Sequence, residues 1–363
     1  MLEGRETAAS SGHLIRRERQ DIMNVSQTVI RATGAADVIA FVASGLGFTP
    51  TDSLVIASVR EDRRLGLVAR IDLDDVDGAS LTTIAGHLKA DSAHRVIVLA
   101  YSDDAERADR LAIRMGAVAQ VRGMKLLFRV RVASDGYRVD DERVAQPLED
   151  VSATQVAAES VLLGHVVSES REQILPGQAK PEARRATEVA RDAWLARHLD
   201  ERRADAMSVW ARAMGGEASP EVFGRLAAVL SDFLARDGVL VALIPGTPLP
   251  VSVALLTDPT APGVDAAVGT AIAKIVDSVA GVQPDDEVMI AAEVLAQVIS
   301  HVDDCAGAWT LWALIAWWGG RGAQATSGIG RALTLDPTYR LAVLVNRAIE
   351  AGMPPGWVAA RQR

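Results

Sequence analysis

The stretch "GFTPTDSLVIASVR" (47–60) places an acid and a hydroxyl directly before an apolar run. Asp52 and Ser53 end a proline turn, and the following residues show no polar–apolar alternation, which predicts a strand buried on both faces. A carboxylate beside a hydroxyl could bind a hard cation or serve in acid–base chemistry. Asp and Ser are also favoured in turns and helix caps, so a structural interpretation stays open beside the chemical one.

Further polar residues come where two later strands are predicted to end. Asp72 and Asp74 follow 67–71, and Tyr101, Ser102, Asp103 and Asp104 lie at the end of 95–101. Helical crossovers would make these strands parallel, so their carboxyl ends share one edge of the sheet. The first strand, antiparallel to its hairpin partner, would begin at that edge. The catalytic candidates gathered there are Asp52, Ser53, Asp72, Ser102 and Asp103. Of these, Asp52, Asp72 and Asp103 could hold Mg²⁺, with Ser53 or Ser102 as ligand or nucleophile.

A basic strand, "MKLLFRVRV" (124–132), is the second charged feature. Alternation predicts an apolar face formed by Leu126, Phe128, Val130 and Val132 and a polar face formed by Lys125, Arg129 and Arg131. These three cations are candidates for binding an anion such as phosphate. The alternative is protection of an edge strand from pairing with other chains.

Periodicity predicts an α/β region followed by an all-α region, with the change at "ILPGQAKPEARR" (174–185). The element order β-β-α-β-α-β-β implies a mixed sheet. The predicted divisions are a disordered lead over 1–23, an α/β mixed-sheet domain over 24–175, a helical domain over 182–300, and a tetratricopeptide-like helical hairpin with a capping helix over 301–355.

The hairpin prediction depends on spacing ahead of Pro337, where small and aromatic residues recur as in a tetratricopeptide repeat: Trp309, Trp312, Ala313, Ala325, Ile329 and Ala332. The aromatic stripe is interpreted as core between two helices. A docking surface on these C-terminal helices for a protein partner is the other interpretation, because aromatic side chains favour interfaces.

The amino-acid composition limits the classes of partner and the location that can be expected for this chain. The formal net charge of -9 argues against nucleic acid as a partner of the whole molecule. The single cysteine, Cys305, excludes an internal disulfide and fits a cytoplasmic location. No stretch in 1–20 reads as a signal peptide, and prolines interrupt the apolar stretch 238–257, so no membrane association is predicted. The sequence does not predict an oligomeric state.

Several segments resemble one known family: "TGAADVIAFVASGLGFTPTDSLVIASV" (33–59), "GLVARIDL" (66–73), "HRVIVLAY" (94–101) and "RALTLDPTYRLAVLVNRAIEAGMPP" (331–355). They are similar to the actinobacterial family catalogued as domain of unknown function 4192. The resemblance implies this architecture and a bacterial cytoplasmic setting, and it carries no activity. Members usually have tryptophan and cysteines after the fourth strand, where this chain has "FRVRVASDGYRVDDERV" (128–144), so no role tied to them is transferred.

The leading prediction is a non-enzymatic binding or interaction protein, because no complete catalytic set is present. The alternative is a metal-dependent hydrolase or transferase with its acidic site at the carboxyl edge of the sheet.

Overall fold

The structure, a computed structural model, describes residues 32–162 and 166–361. The predicted disordered lead over 1–23 lies outside these ranges. Within them, the chain forms a mixed sheet followed by helices, as the periodicity predicted.

Five strands form the sheet: β1 (Ser53–Val59), β2 (Leu65–Asp72), β3 (Arg95–Tyr101), β4 (Lys125–Ala133) and β5 (Gly136–Val139). Their order is β2-β1-β3-β4-β5. β1 is antiparallel to both neighbours, β3 and β4 are parallel, and β5 returns antiparallel to β4. β2 is therefore an edge strand, while β1 is buried along its whole length as predicted.

Helices cover both faces of the sheet. They are α1 (Ala35–Leu46), α2 (Gly78–Ala90), α3 (Ala105–Val121), α4 (Glu149–Ser152) and α5 (Gln155–Leu162). One core joins α2 and α3 to one face of the sheet, through residues such as Leu54 and Val98. The other core joins α1 to the opposite face, through Val55 and Leu99. The two strand faces are thus both apolar, which explains why β1 and β3 show no alternation.

The second region is helical. Its helices are α6 (Pro181–Leu195), α7 (Leu199–Met214), α8 (Pro220–Ser231), α9 (Phe233–Leu243), α10 (Leu249–Thr257), α11 (Val264–Val276), α12 (Asp286–His301), α13 (Ala306–Trp318), α14 (Gly322–Leu335), α15 (Arg340–Glu350) and α16 (Gly356–Arg361). Their buried side chains form one continuous cluster from Trp194 to Val345. The predicted domain boundaries remain a prediction. No helix in the described ranges is long and apolar enough to cross a bilayer.

The aromatic stripe of α13 belongs to the core, as one of its two interpretations predicted. Trp309 and Trp312 are only 2% and 7% exposed and meet edge to face, with ring centroids 6.0 Å apart. The indole N–H groups of Trp317 and Trp318 donate to backbone carbonyls, so these buried polar atoms are satisfied. The likeness of this helix pair to a tetratricopeptide repeat remains a prediction.

Candidate functional site

The predicted gathering of residues at one edge of the sheet is confirmed by the strand pairing. Ser53 lies opposite Asp72 on β2 and opposite Tyr101 on β3. β2, β3 and β4 run in the same direction, so their carboxyl ends and the start of β1 meet there. The sequence therefore placed this edge correctly.

Asp52 and Ser53 make local contacts at this edge. The Ser102 hydroxyl donates to Asp52 Oδ1 at 3.1 Å, and the backbone carbonyl of Asp52 accepts from Leu73 N–H at 2.9 Å. Asp52 has φ +38°, the left-handed region that Asp tolerates better than most residues. Ser53 is fully buried, and its hydroxyl donates to the carbonyl of Thr51 at 2.5 Å. Both side chains thus have a structural explanation at the turn.

Asp72 and Asp103 also have partners in the fold. Asp72 pairs with Arg70 at 2.5 Å and lies 3.8 Å from Arg171. Asp103 accepts from the backbone N–H of Ser134 at 2.7 Å, and this hydrogen bond holds the pKa of Asp103 below its ordinary value. No group of three or more His, Cys, Asp or Glu side chains in the described ranges could hold a metal ion.

Arg107 is a further cation at this edge. It bonds Asp74 at 2.5 Å, and that hydrogen bond raises the pKa of Arg107, with the charges of Asp74, Asp104 and Asp52 adding to the effect. A guanidinium already compensates these carboxylates electrostatically.

The basic strand differs from its prediction. A β-bulge at Leu127 shifts the register, because Val96 pairs with Leu126 while Ile97 pairs with Phe128. Leu126 packs on the α2–α3 side of the sheet, whereas Phe128, Val130 and Val132 pack on the α1 side.

The single apolar face predicted for this strand is therefore wrong. Since side chains alternate on either side of the bulge, Lys125 also lies on the face opposite Arg129 and Arg131. Arg129 pairs with Asp141 at 3.2 Å, and Arg131 lies 3.6 Å from Asp109. An anion-binding role for these three cations stays a prediction, without the shared face that motivated it.

A cleft of about 850 Å³ lies between the sheet and the C-terminal helices. One wall is a continuous stretch of β2, Gly66–Ile71, with the end of α1 and one side of α2. The opposite wall comes from α13 to α16 and their connections. The lining includes Phe41, Leu46, Phe48, Arg60, Gly66, Leu67, Val68, Ala69, Arg70, Ile71, Thr83, His87, Asp91, Arg171, Trp317, Ala323, Thr326, Ile349, Glu350, Gly352 and Met353.

Direct contacts tie the two walls together. The guanidinium of Arg171 donates to Ser327 Oγ on α14 at 3.1 Å. Gly352, at φ +64°, lies so close to the His87 ring that a Cβ at that position would overlap it. Glycine is needed there both for the backbone conformation and for this approach.

The outer edge of β2 faces this cleft with unpaired backbone groups. The Leu73 N–H donates to the Asp52 carbonyl at 2.9 Å, and partners in an antiparallel ladder bond at every second residue. Ile71 and Ala69 therefore bond β1, while the N–H and C=O of Arg70 and Val68 point away from it. In the described ranges no other strand pairs with this side of β2.

A buried polar junction anchors the other end of β2. The Asp91 carboxylate accepts from Ser58 Oγ at 2.7 Å, from Leu67 N–H at 2.8 Å and from Arg60 Nη2 at 2.7 Å. It compensates for a register shift between Ala57 and Val59, where the β1–β2 ladder is interrupted. A Cβ at position 66 would overlap Asp91, so only glycine fits there.

A second groove, of about 740 Å³, lies among α6, α7 and α8. It contains Trp194, with the guanidinium carbons of Arg197 and Arg225 at 4.5 and 5.6 Å from its ring centroid. Arg197, Arg212 and Arg225 each pair with a nearby carboxylate. The arginines of this groove are therefore already paired within the protein.

The sequence did not predict the cleft. Its walls lie some 250 positions apart in the chain, and neither wall carries a motif. Two signals pointed toward it: a glycine within the β2 pattern, Gly66, and Gly352 directly after α15, since such glycines often mark close backbone approach.

Neither a curated protein nor a solved structure matches the chain. A family model matches residues 35–356, which covers the sheet and, apart from α16, the helices that line the cleft. The chain therefore belongs to the family described as Domain of unknown function (DUF4192).

Proposed function

We propose that this chain is a non-enzymatic binding protein that holds its ligand in the cleft between β2 and the C-terminal helices. The observation that carries this proposal is the cleft itself, whose volume of about 850 Å³ is typical of ligand sites. The opposite wall belongs to the helices that the sequence predicted as the partner surface.

The lining supports binding of a partly apolar ligand. Phe41 contributes aromatic surface on the sheet side, and Ile349 and Met353 contribute apolar surface on the helical side. Burial of such surface drives association, while a few polar groups fix orientation. Arg60, Arg70 and Arg171 are the polar groups best placed to do so.

The metal-dependent hydrolase or transferase remains the alternative, with Mg²⁺ held by Asp52, Asp72 and Asp103. The observation that supports this alternative is that the three carboxylates come from segments that meet at one edge of the sheet. Against it stand the partners already described, since Ser102, Arg70 and the Ser134 N–H engage Asp52, Asp72 and Asp103, the three carboxylates that a cation would need. The binding function is therefore the better supported of the two.

Two neighbouring threonines on α2 provide a matched test. Thr83 is exposed and lines the cleft, whereas Thr82 is exposed and does not line it. The probe is 8-anilinonaphthalene-1-sulfonate, an anionic dye that fluoresces in apolar sites. We expect saturable dye binding that Thr83→Trp removes by filling the cleft and Thr82→Trp leaves intact. Equal binding by the two variants would contradict the proposal.

A further inference from the structure

We infer that the cleft binds an extended peptide segment carrying a carboxylate, which adds to the free edge of β2 as a sixth strand. This inference rests on the proposed function and deepens it by naming the class of ligand.

The backbone of β2 is the first argument. Val68 and Arg70 present two N–H donors and two C=O acceptors toward the cleft, since their neighbours Ala69 and Ile71 use theirs to bond β1. An unpaired edge of this kind is a template for another strand. Of the ligands that could fill an apolar cleft, only an extended backbone matches donors and acceptors at every second residue.

The dimensions agree with a short segment. The β2 stretch that lines the cleft runs from Gly66 to Ile71, which corresponds to about 20 Å of extended chain at the usual rise per residue. A partner of about six residues would span it. With helices as the opposite wall, the volume suits a single segment rather than the sheet of a second copy.

Arginines are the groups of the cleft that can bind a carboxylate. Arg60, Arg70 and Arg171 line it, together with two acids, Asp91 and Glu350. Asp72, just outside the lining, pairs with Arg70, so the formal charges around the cleft balance, and the inference of a carboxylate rests on arginine hydrogen-bond donors that are still unused.

Hydrogen-bond donors that these arginines leave unused are the observation that supports a carboxylate on the ligand. The Nε atoms of Arg60 and Arg70 are buried, and neither finds a hydrogen-bond acceptor in the part of the chain that the structure describes. A buried donor without a partner is costly, and a carboxylate is the strongest acceptor a peptide can bring. These two arginines follow β1 and lie on β2, so the donors flank the free edge.

The first experiment selects ligands from a phage-displayed random heptapeptide library against the full-length chain, with the Thr83→Trp protein as counter-selection. We expect enriched peptides to carry Asp or Glu. Synthetic versions are then N-methylated at one backbone position at a time, and binding is measured by fluorescence anisotropy. Methylation should weaken binding about tenfold at every second residue and little at the residues between, because alternate N–H groups face β2.

Two substitutions extend the test to the protein. Val68→Pro removes a donor that faces the cleft and no bond to β1, so it should weaken peptide binding about tenfold while the chain stays folded. Replacing the peptide's acid by its amide should also weaken binding, and this loss should shrink in Arg70→Gln.

The outcomes separate the two proposals. Dye binding lost in Thr83→Trp with no enriched peptide would overturn the strand inference and leave the binding function standing. Peptides whose N-methyl scan shows no two-residue period would overturn strand addition. If the N-methyl scan shows a two-residue period but replacing the peptide's acid by its amide does not weaken binding, the inference that the ligand carries a carboxylate would be overturned.

Discussion

The buried junction around Asp91 gives a prediction whose size can be worked from the structure. Asp91→Ala removes an acceptor shared by Ser58 Oγ, Leu67 N–H and Arg60, at distances of 2.7 to 2.8 Å. The Asp91 side chain is 8% exposed and that of Arg60 is 29% exposed. Removal therefore leaves without an acceptor one buried hydroxyl, that of Ser58, one partly buried backbone N–H, that of Leu67, and one partly solvated cation, Arg60.

Each buried donor left without a partner costs about 1–3 kcal/mol. The Arg60 pair is partly exposed, so its loss adds less, about 1 kcal/mol or below. The expected decrease in the free energy of unfolding is about 2–4 kcal/mol, most of it from the Ser58 hydroxyl and the Leu67 N–H. Asp91→Asn should cost less, because an amide oxygen can still accept from Ser58 and Leu67.

Urea unfolding followed by far-ultraviolet circular dichroism measures this change. All seven tryptophans lie between 194 and 357, so their fluorescence reports on the helical region instead. Asp75→Ala is the matched control, since Asp75 is exposed, and we expect it to stay within about 0.5 kcal/mol of the parent. A loss below about 1 kcal/mol for Asp91→Ala would refute the argument that this carboxylate secures β2.

Three further predictions concern other groups. Burial raises the pKa of the Cys305 thiol, so iodoacetamide should label it only at the rate of unfolding, and fast labelling of the native chain would contradict its burial. Because the Ser134 N–H lowers the pKa of Asp103 in the folded state, its contribution to stability is present above the unfolded pKa and lost as pH falls through the lower folded value. Acid titration of Asp103→Asn should therefore show a shallower loss of stability below about pH 4, and an unchanged slope would count against this bond. Finally, Mg²⁺ should leave the melting temperature unchanged, whereas a rise that Asp52→Ala abolishes would favour the enzyme alternative.

The sheet was predictable because its signals are local or topological. An apolar run without alternation indicated that β1 is buried inside the sheet, and helical crossovers fixed the common direction of β2, β3 and β4. Together these decided which loop tips meet, so Asp52 and Ser102 could be brought to one edge from the sequence. In the structure, the Ser102 hydroxyl donates a hydrogen bond to the Asp52 carboxylate at this edge.

The bulge in β4 was not predictable for the opposite reason. The alternation from Phe128 to Val132 is regular, whereas Leu127 adds an apolar residue between Leu126 and Phe128, and only pairing with β3 shows that Leu127 is an extra residue. The cleft escaped prediction because it depends on packing between β2 and helices far along the chain, near Trp317 and Gly352. The hydrophobic periodicity of the sequence predicts the strand and the helices that form the two walls of the cleft. It does not predict how far apart these two walls lie in the folded chain.

The free edge of β2 is tested most directly by amide hydrogen exchange in the unliganded chain. We predict that the N–H groups of Val68 and Arg70 exchange rapidly, while those of Ala69 and Ile71 are protected by their bonds to β1. Protection of all four amides, or protection at Val68 and Arg70 alone, would contradict an edge open to an incoming strand.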